Sequence, residues 1–454
     1  MVSKSVNPAT GQTVKLVETW NETQLDQALA EVAAATPAWA ALDFTARAEH
    51  LRKTAAVLRR RSDELARIIS LEMGKLIGEA RGEVEKCAWV CEYYAEHGAR
   101  FLADELIESD AGRSLVSYPP LGTVLAVMPW NFPLWQVFRF AAPALMAGNT
   151  GVLKHASNVP GCALAIEEVF QEAGLPQGVF RSLMIPAGRV NRVIEDKRIH
   201  AVTLTGSESA GRAVAAAAGA QIKKTVLELG GSDPFIVLDD ADLELAVDNA
   251  VKSRFLNAGQ SCIAAKRFIV VEALADAFVA RFKDAVEALR PGDPLKPDTT
   301  LAPMARIDLR DELHQQVVDS LLKGAVAVTG CRPFPGEGAT YEASILDHVV
   351  PGTRAYHEEF FGPVALVIRA RDEADAVRIA NDSPFGLAGS VWTRDSTRGE
   401  RVARQVQAGA VFVNGLVKSD PRLPFGGIKH SGYGRELSVH GIREFVNVKT
   451  LWIR

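Results

Sequence analysis

Cys262 lies in Asn257-Ala-Gly-Gln-Ser-Cys262, Glu228 in Glu228-Leu-Gly-Gly-Ser-Asp-Pro234, and Asn131 in Pro129-Trp-Asn-Phe-Pro133. A thiolate, an amide and a carboxylate together can do acyl chemistry. The thiolate adds to an aldehyde carbon, an amide N–H holds the resulting oxyanion, and the carboxylate activates the water that later releases an acid. Cysteine suits the first step because even an unperturbed thiol is partly ionised at neutral pH, and a nearby cation or helix N-terminus raises that fraction. Glu228 stands among Val226, Leu227 and Leu229, and partial burial there would raise its pKa toward that of a usable base. Cys87, Cys91, Cys162 and Cys331 sit in apolar contexts and read as inert core residues; no metal site is expected of them. The same trio would also serve a cysteine hydrolase of activated esters. A noncatalytic scaffold would be expected to have lost the nucleophile or the base, and both are present.

The elements that must position these groups follow from pattern. From Thr23 to about Leu102 apolar residues recur at helical spacing, as in Leu51, Ala55 and Leu58. Residues 102–118 turn toward an extended hairpin, and Pro119-Pro-Leu-Gly122 precedes the buried-strand run Thr123–Met128. Short apolar strands then alternate with helices: 151–153, 163–173, 201–204, 209–219 and 225–229. A second strand series runs through 235–238, 268–271, 325–328, 364–368 and 411–413. Such alternation predicts an α/β protein with two domains, each a parallel sheet flanked by helices.

At 454 residues the chain is long enough for more than one core. A net charge of -4, with 48% hydrophobic and 23% charged residues, argues against nucleic acid as a partner. Five scattered cysteines fit a reducing compartment, so the expectation is cytoplasmic. The first residues are polar and lead into a turn, without the apolar core of a signal peptide, and no run is long enough to span a bilayer.

The three strings, with Glu358-Glu-Phe-Phe-Gly-Pro363 and Pro424-Phe-Gly-Gly-Ile-Lys-His-Ser-Gly432, resemble the aldehyde dehydrogenase superfamily over nearly the whole chain. Asn131–Gln136, Leu153–Ser157, Leu227–Val237 and Ala264–Phe268 are most similar to its succinate semialdehyde dehydrogenase branch. The resemblance implies that an aldehyde, such as succinate semialdehyde, is oxidised through a thiohemiacetal and a thioester, with hydride leaving for NAD or NADP. A broad aliphatic or aromatic aldehyde range is the close alternative. In this reading Cys262 is the nucleophile and Asn131 the oxyanion donor, helped by the Cys262 N–H, while Glu228 is the deacylation base.

It further implies a Rossmann-like cofactor domain over residues 1–100 and 120–231, a catalytic domain over 232–425, and a β oligomerisation arm from 101–119 and 426–454. In the family's fold the hairpin and the C-terminal strand pair across subunits, giving a homodimer or homotetramer; the alternative is a terminus docked on its own subunit. Gly206 and Ser207 open a helix directly after strand 201–205 and match the family's cofactor turn. Trp130, Lys154, Glu359 and Phe361 are the other cofactor residues implied, with Glu358 only a neighbour. Ser157 stands where strongly NAD-selective members carry a glutamate, and a hydroxyl can donate to a 2′-phosphate that a carboxylate would repel. NADP is therefore expected to be accepted, with NAD use retained. Arg139 matches the arginine that the succinate semialdehyde enzymes turn toward the substrate carboxylate, which a guanidinium can bond bidentately. Ser419 and Arg422 are further candidates. Leu256 stands where some of that group carry a second arginine.

Overall fold

In the computed structural model residues 2–336 and 338–454 are described. The opening segment is helical as its spacing requires: Glu22–Ala41, Phe44–Arg60, Ser62–Met73 and Ile77–Phe101. Asn21 starts the first helix with a reciprocal capping box to Gln24, and Asp43 starts the second by accepting from the Ala46 N–H at 2.8 Å. Gly74 ends the third in the left-handed region. Before them lies an antiparallel hairpin, Val2–Val6 with Thr13–Glu18, where only a turn was expected. Its alternation is carried partly by Ser, Lys and Thr, so it lacks the apolar signature of a buried strand.

Two parallel sheets build the site. The first has the spatial order Gly432–Tyr433, Lys224–Glu228, Ala201–Thr205, Thr123–Met128, Thr150–His155, Phe180–Ser182. All neighbours in it are parallel except the two-residue edge Gly432–Tyr433. The chain starts at the central strand Thr123–Met128, moves outward through Thr150–His155 and Phe180–Ser182, then returns to the other side at Ala201–Thr205. Thus the strand order reverses between Thr123–Met128 and Ala201–Thr205, and the carboxyl ends there open a crevice suited to a ligand.

The second sheet runs Val326–Thr329, Ser344–Asp347, Val364–Ala370, Ala265–Val271, Asp233–Val237, Ala388–Trp392, Ala410–Val413. It is parallel but for the antiparallel edge Val326–Thr329. Ser344–Asp347 and Ala388–Trp392 escaped the sequence pattern because one is short and the other, Ala-Gly-Ser-Val-Trp, has no continuous apolar run.

In the third sheet Lys449–Ile453 pairs antiparallel with Arg113–Ser117 of its own chain, whose other side is held by Glu105–Ile107. The reason is local: the Asn447 N–H already donates to the Pro119 carbonyl at 2.8 Å and the Leu121 N–H to the Phe445 carbonyl at 3.2 Å. The tail therefore runs in register onto its own hairpin. The segment from 426 is also not arm alone, because Gly432–Tyr433 pairs with Leu227 and Glu228 in the first sheet.

Candidate active site

Helix Leu243–Phe255 ends just before Cys262, and Asn257, Ala258 and Gly259 follow in the left-handed region at φ 53°, 52° and 71°. Gly259 must be glycine on two counts, its φ and its surroundings: a Cβ there would lie 2.2 Å from Arg254 Nη2 and 2.3 Å from the Gly362 carbonyl. The strained loop is held by side chains bonded to backbone. Asn257 Nδ2 donates to the Asn131 carbonyl at 2.8 Å and to the Gln260 carbonyl at 3.1 Å. Fully buried Arg254 donates to the carbonyls of Gly259, Gly362 and Ala265 at 2.7, 2.6 and 2.9 Å. Lys266, equally buried, donates to the Ser261 and Cys262 carbonyls at 2.6 and 2.7 Å and pairs with Glu359 at 3.2 Å. Such over-determination is what keeps a strained backbone in place.

Cys262 is half-buried and belongs to the walls of two cavities. Burial pushes its thiol up to about 12, against the pull of the Arg139 and Lys266 charges. Beside it Asn131 is 4% exposed. Its Oδ1 accepts from Gln136 Nε2 at 3.0 Å and its Nδ2 donates to the Gln260 carbonyl at 3.0 Å. That fixes the amide's orientation and leaves one of its two N–H bonds unspent. Among the described residues the Cys262 backbone N–H has no acceptor either. Two free donors beside the sulfur are what an oxyanion needs.

Glu228, at the end of strand Lys224–Glu228, is only 2% exposed, and neither carboxylate oxygen has a hydrogen-bond partner. Where partial burial was expected, burial is complete, and the side chain is turned away from both cavities toward Glu436 and Arg139. Burial first, then the Glu436 charge, holds its pKa well above the ordinary carboxylate range. Gly230 and Gly231, next in sequence, admit Glu359: a Cβ on Gly230 would meet Glu359 Oε2 at 2.4 Å, and the Gly231 N–H donates to Glu359 Oε1 at 3.1 Å.

One cavity, about 330 Å³, lies at the strand-order reversal. Trp130, Gly206, Ser207, Glu359 and Phe361 all line it, as expected, with Asn131 and Cys262 at its floor. Ser207 caps helix Glu208–Ala220 by accepting from the Ala210 N–H, so the open N–H groups of that helix start face the crevice and fit a pyrophosphate. Lys154 and Ser157 stand beyond the cavity at the end of the neighbouring strand Thr150–His155. Lys154 is buried and donates to the His155 carbonyl at 2.7 Å, whereas Ser157 is exposed. Glu358 is engaged by Arg354 at 2.9 Å and lines neither cavity.

The other cavity, about 320 Å³, is walled by helix Ile77–Phe101, helix Trp135–Met146 and the loop before Pro424. Arg139 and Ser419 line it as expected. Arg139, however, is ion-paired with buried Glu436, donates to Thr205 Oγ1 at 3.3 Å and lies over the Phe425 ring at 4.5 Å. Arg422 does not reach the cavity. Asp420 accepts from its N–H, Nε and Nη2 at 3.0, 2.9 and 2.7 Å, and this local clamp turns the side chain outward, 64% exposed.

Four charged residues that the structure brings to the site went unread in the sequence: Glu436, Lys266, Lys86 and Glu79. Glu436 had a signal, since it closes the glycine-rich run from Pro424. Lys86 and Glu79 had none, because each looks like an ordinary polar residue on a helix.

Residues 2–451 match the aldehyde dehydrogenase family. The probable succinate-semialdehyde dehydrogenase (NADP+) of Synechocystis sp. is 51% identical over 453 residues, covering 100% of both chains. The succinate semialdehyde dehydrogenase Sad (NAD(P)+) of Escherichia coli is 49% identical over 99% of this chain and 97% of its own. Among solved structures, succinic semialdehyde dehydrogenase from Streptococcus pyogenes in complex with NADP+ superposes with a TM-score of 0.97 at 38% identity, over 99% of each chain.

Proposed function

The chain belongs to the aldehyde dehydrogenase family, and from that premise we propose that it oxidises succinate semialdehyde to succinate with NADP or NAD as acceptor. The relatives named above support the substrate. The observation that carries it is the charge of the cavity opposite the cofactor crevice: Lys86, Arg139, Lys252 and Lys418 line it against Glu79 and Glu83. Glu83 is already paired with buried Lys75, so the wall favours an anionic aldehyde.

Arg139 and Lys266 are the cations that favour the Cys262 thiolate. The sulfur adds to the aldehyde carbon and the carbonyl π pair moves to oxygen, where the free N–H of Asn131 and that of Cys262 receive it. Gly206, Ser207, Trp130, Glu359 and Phe361 would hold NAD(P), which when bound supplies the two-electron acceptor for the substrate hydride. A thioester on Cys262 must then be hydrolysed. Glu228 has no hydrogen bonds holding it toward Glu436, so rotation toward Cys262 separates it from that charge, lowers its raised pKa and lets it give up its proton to solvent, leaving a carboxylate free to act as base. There it takes a proton from water, the water oxygen bonds to the acyl carbon, and the C–S bond breaks to release the acid and regenerate the thiolate.

At the adenosine end, Lys154 and exposed Ser157 place no carboxylate where a 2′-phosphate would lie, which supports NADP acceptance. Residues 1–100 and 120–231 form the cofactor domain and 232–425 the catalytic domain in this reading, with 101–119 and Lys449–Ile453 as the oligomerisation arm. Leu106, Ile107, Trp452 and Ile453 are all exposed on that arm, a surface suited to a second copy. Its five free cysteines suit the cytoplasm.

The test is steady-state oxidation of succinate semialdehyde beside butanal and benzaldehyde, each with NAD and NADP. A preference for the semialdehyde of roughly tenfold or more in kcat/KM is expected. Equal or better rates with the uncharged aldehydes would keep the dehydrogenase and overturn the substrate.

A further inference from the structure

The loop carrying Asn131 rests on a charged pair that takes no part in the chemistry. Lys75 follows the helix stop at Gly74, and Glu83 lies on helix Ile77–Phe101. They form an ion pair with side chains 1% and 2% exposed. Lys75 Nζ also donates to the Asn131 carbonyl at 2.9 Å and lies 3.7 Å from the centre of the Phe132 ring. Glu83 reaches the far end of the same loop, where Oε1 accepts from the Leu134 and Trp135 N–H groups at 2.8 and 3.0 Å. Those groups open helix Trp135–Met146, whose start has no side-chain cap of its own. A carboxylate at that place also meets the positive end of the helix dipole.

We propose that Lys75 and Glu83 are positioning residues for the oxyanion donor, aiming the Asn131 amide from both ends of its loop. The proposal rests on the reading of Asn131 as that donor. One path runs through the backbone: Lys75 and Asn257 Nδ2 share the Asn131 carbonyl, which fixes the peptide plane from which the side chain departs. The other runs through the amide: its Oδ1 accepts from Gln136 Nε2, and Gln136 belongs to the first turn of the helix whose start Glu83 holds. The free N–H of Asn131 therefore points where two charged groups set it.

A buried ion pair adds little stability over an apolar pair of the same size, because desolvation offsets the attraction. An apolar pair, however, could hold neither the Asn131 carbonyl nor the helix start. Misplacing a catalytic group by about 1 Å is enough to cost on the order of 10²-fold in rate. The return on burying these two charges is therefore read in turnover.

In the full-length enzyme, Lys75→Met with Glu83→Gln neutralises the pair and strands no charge. This variant would be compared with Asn131→Ala and with all three changes together, as kcat for succinate semialdehyde and for butanal with NADP. Rates are taken per cofactor site, counted by the fluorescence of bound NADPH, so unfolded enzyme does not enter. The neutralised pair is expected to lose about tenfold or more in kcat with both aldehydes, while KM for NADP stays within about twofold. Added to Asn131→Ala it should cost no more than about a further twofold, because residues that act through Asn131 then have nothing left to aim. Glu83→Gln alone, the milder change, should show the same pattern with a loss of about threefold. An unchanged kcat in the neutralised pair, losses that multiply in the combined variant, or a KM for NADP that rises in step with the fall in kcat would make the pair a structural support and overturn the proposal. Near-normal turnover in Asn131→Ala would instead overturn the oxyanion reading, and this assignment with it.

Discussion

The two cavities that meet at Cys262 have nearly equal volumes but are made differently. The cofactor side is lined mainly by short contiguous runs at strand ends, 129–131, 205–207 and 229–230, then Glu359 and Phe361, with one helical stripe from Leu309 to Gln316. The substrate side, beside the runs 261–264 and 416–419, is lined by two helical sets, Glu79, Gly82, Glu83 and Lys86 on one helix and Phe132, Trp135, Gln136 and Arg139 entering another. Both sets follow the i, i+3, i+4, i+7 stripe of a helix face. A wall built from a run of backbone can hold the same shape for any substrate. One built from two helical stripes changes character with a single side chain, so chemistry and selectivity are kept on separate supports.

The sharpest way to break this division is at the shared floor. Asn131→Ala should lower kcat by roughly 10²–10³-fold with every aldehyde and either cofactor, because an oxyanion donor serves chemistry and not recognition. Steady-state rates with succinate semialdehyde and butanal check it; near-normal turnover would remove Asn131 from the mechanism. Ser157→Glu should act on one side only. A loss of about tenfold in the NADP to NAD ratio of kcat/KM is expected, without change in the preference between aldehydes. An unmoved cofactor ratio would show that Ser157 does not meet the 2′-phosphate.

The smallest effect is electrostatic and belongs to the substrate side. Burial raises half-buried Glu79, which accepts from the Asn257 N–H at 3.1 Å, from 4.5 to about 7. The folded state therefore keeps a proton that the unfolded chain releases above its ordinary pKa. Its stabilising contribution is complete below about 4.5 and is lost as pH rises through about 7. Urea unfolding should show the parent losing about 1–2 kcal/mol more than Glu79→Gln between about pH 5 and pH 8. Identical slopes for the two proteins would place the Glu79 carboxylate in water.

This contrast also explains what could be read from sequence. The nucleophile loop, the cofactor turn and Glu359 were legible because their geometry constrains consecutive residues; Gly259 and Gly230 are glycine because Arg254 and Glu359 fill the space a Cβ would take. Both sheets were legible from apolar runs, apart from Phe180–Ser182, Ser344–Asp347, Ala388–Trp392 and Gly432–Tyr433, which lack a long one. Lys86 was not, since a lysine on an amphipathic helix looks solvated until Trp135 and Ser419, the latter 333 residues along the chain, close over it. Arg422 misled for the converse reason: its place in the loop was read correctly, but Asp420, two residues away, claims its donors. Glu228 was read from sequence as the base, but not its orientation, which depends on Glu436, 208 residues further along the chain.

That separation has a consequence for synthesis. Gly432–Tyr433 pairs with the strand carrying Glu228, Glu436 sits opposite it, and Lys449–Ile453 closes the hairpin at 105–117. A nascent chain can fold its helices and most of both sheets as they emerge, yet Glu228 lacks its acidic neighbour until Glu436 has been made. The surroundings of Glu228 are therefore among the later parts of the molecule to be assembled during synthesis, well after the loop of Cys262 and the cofactor crevice.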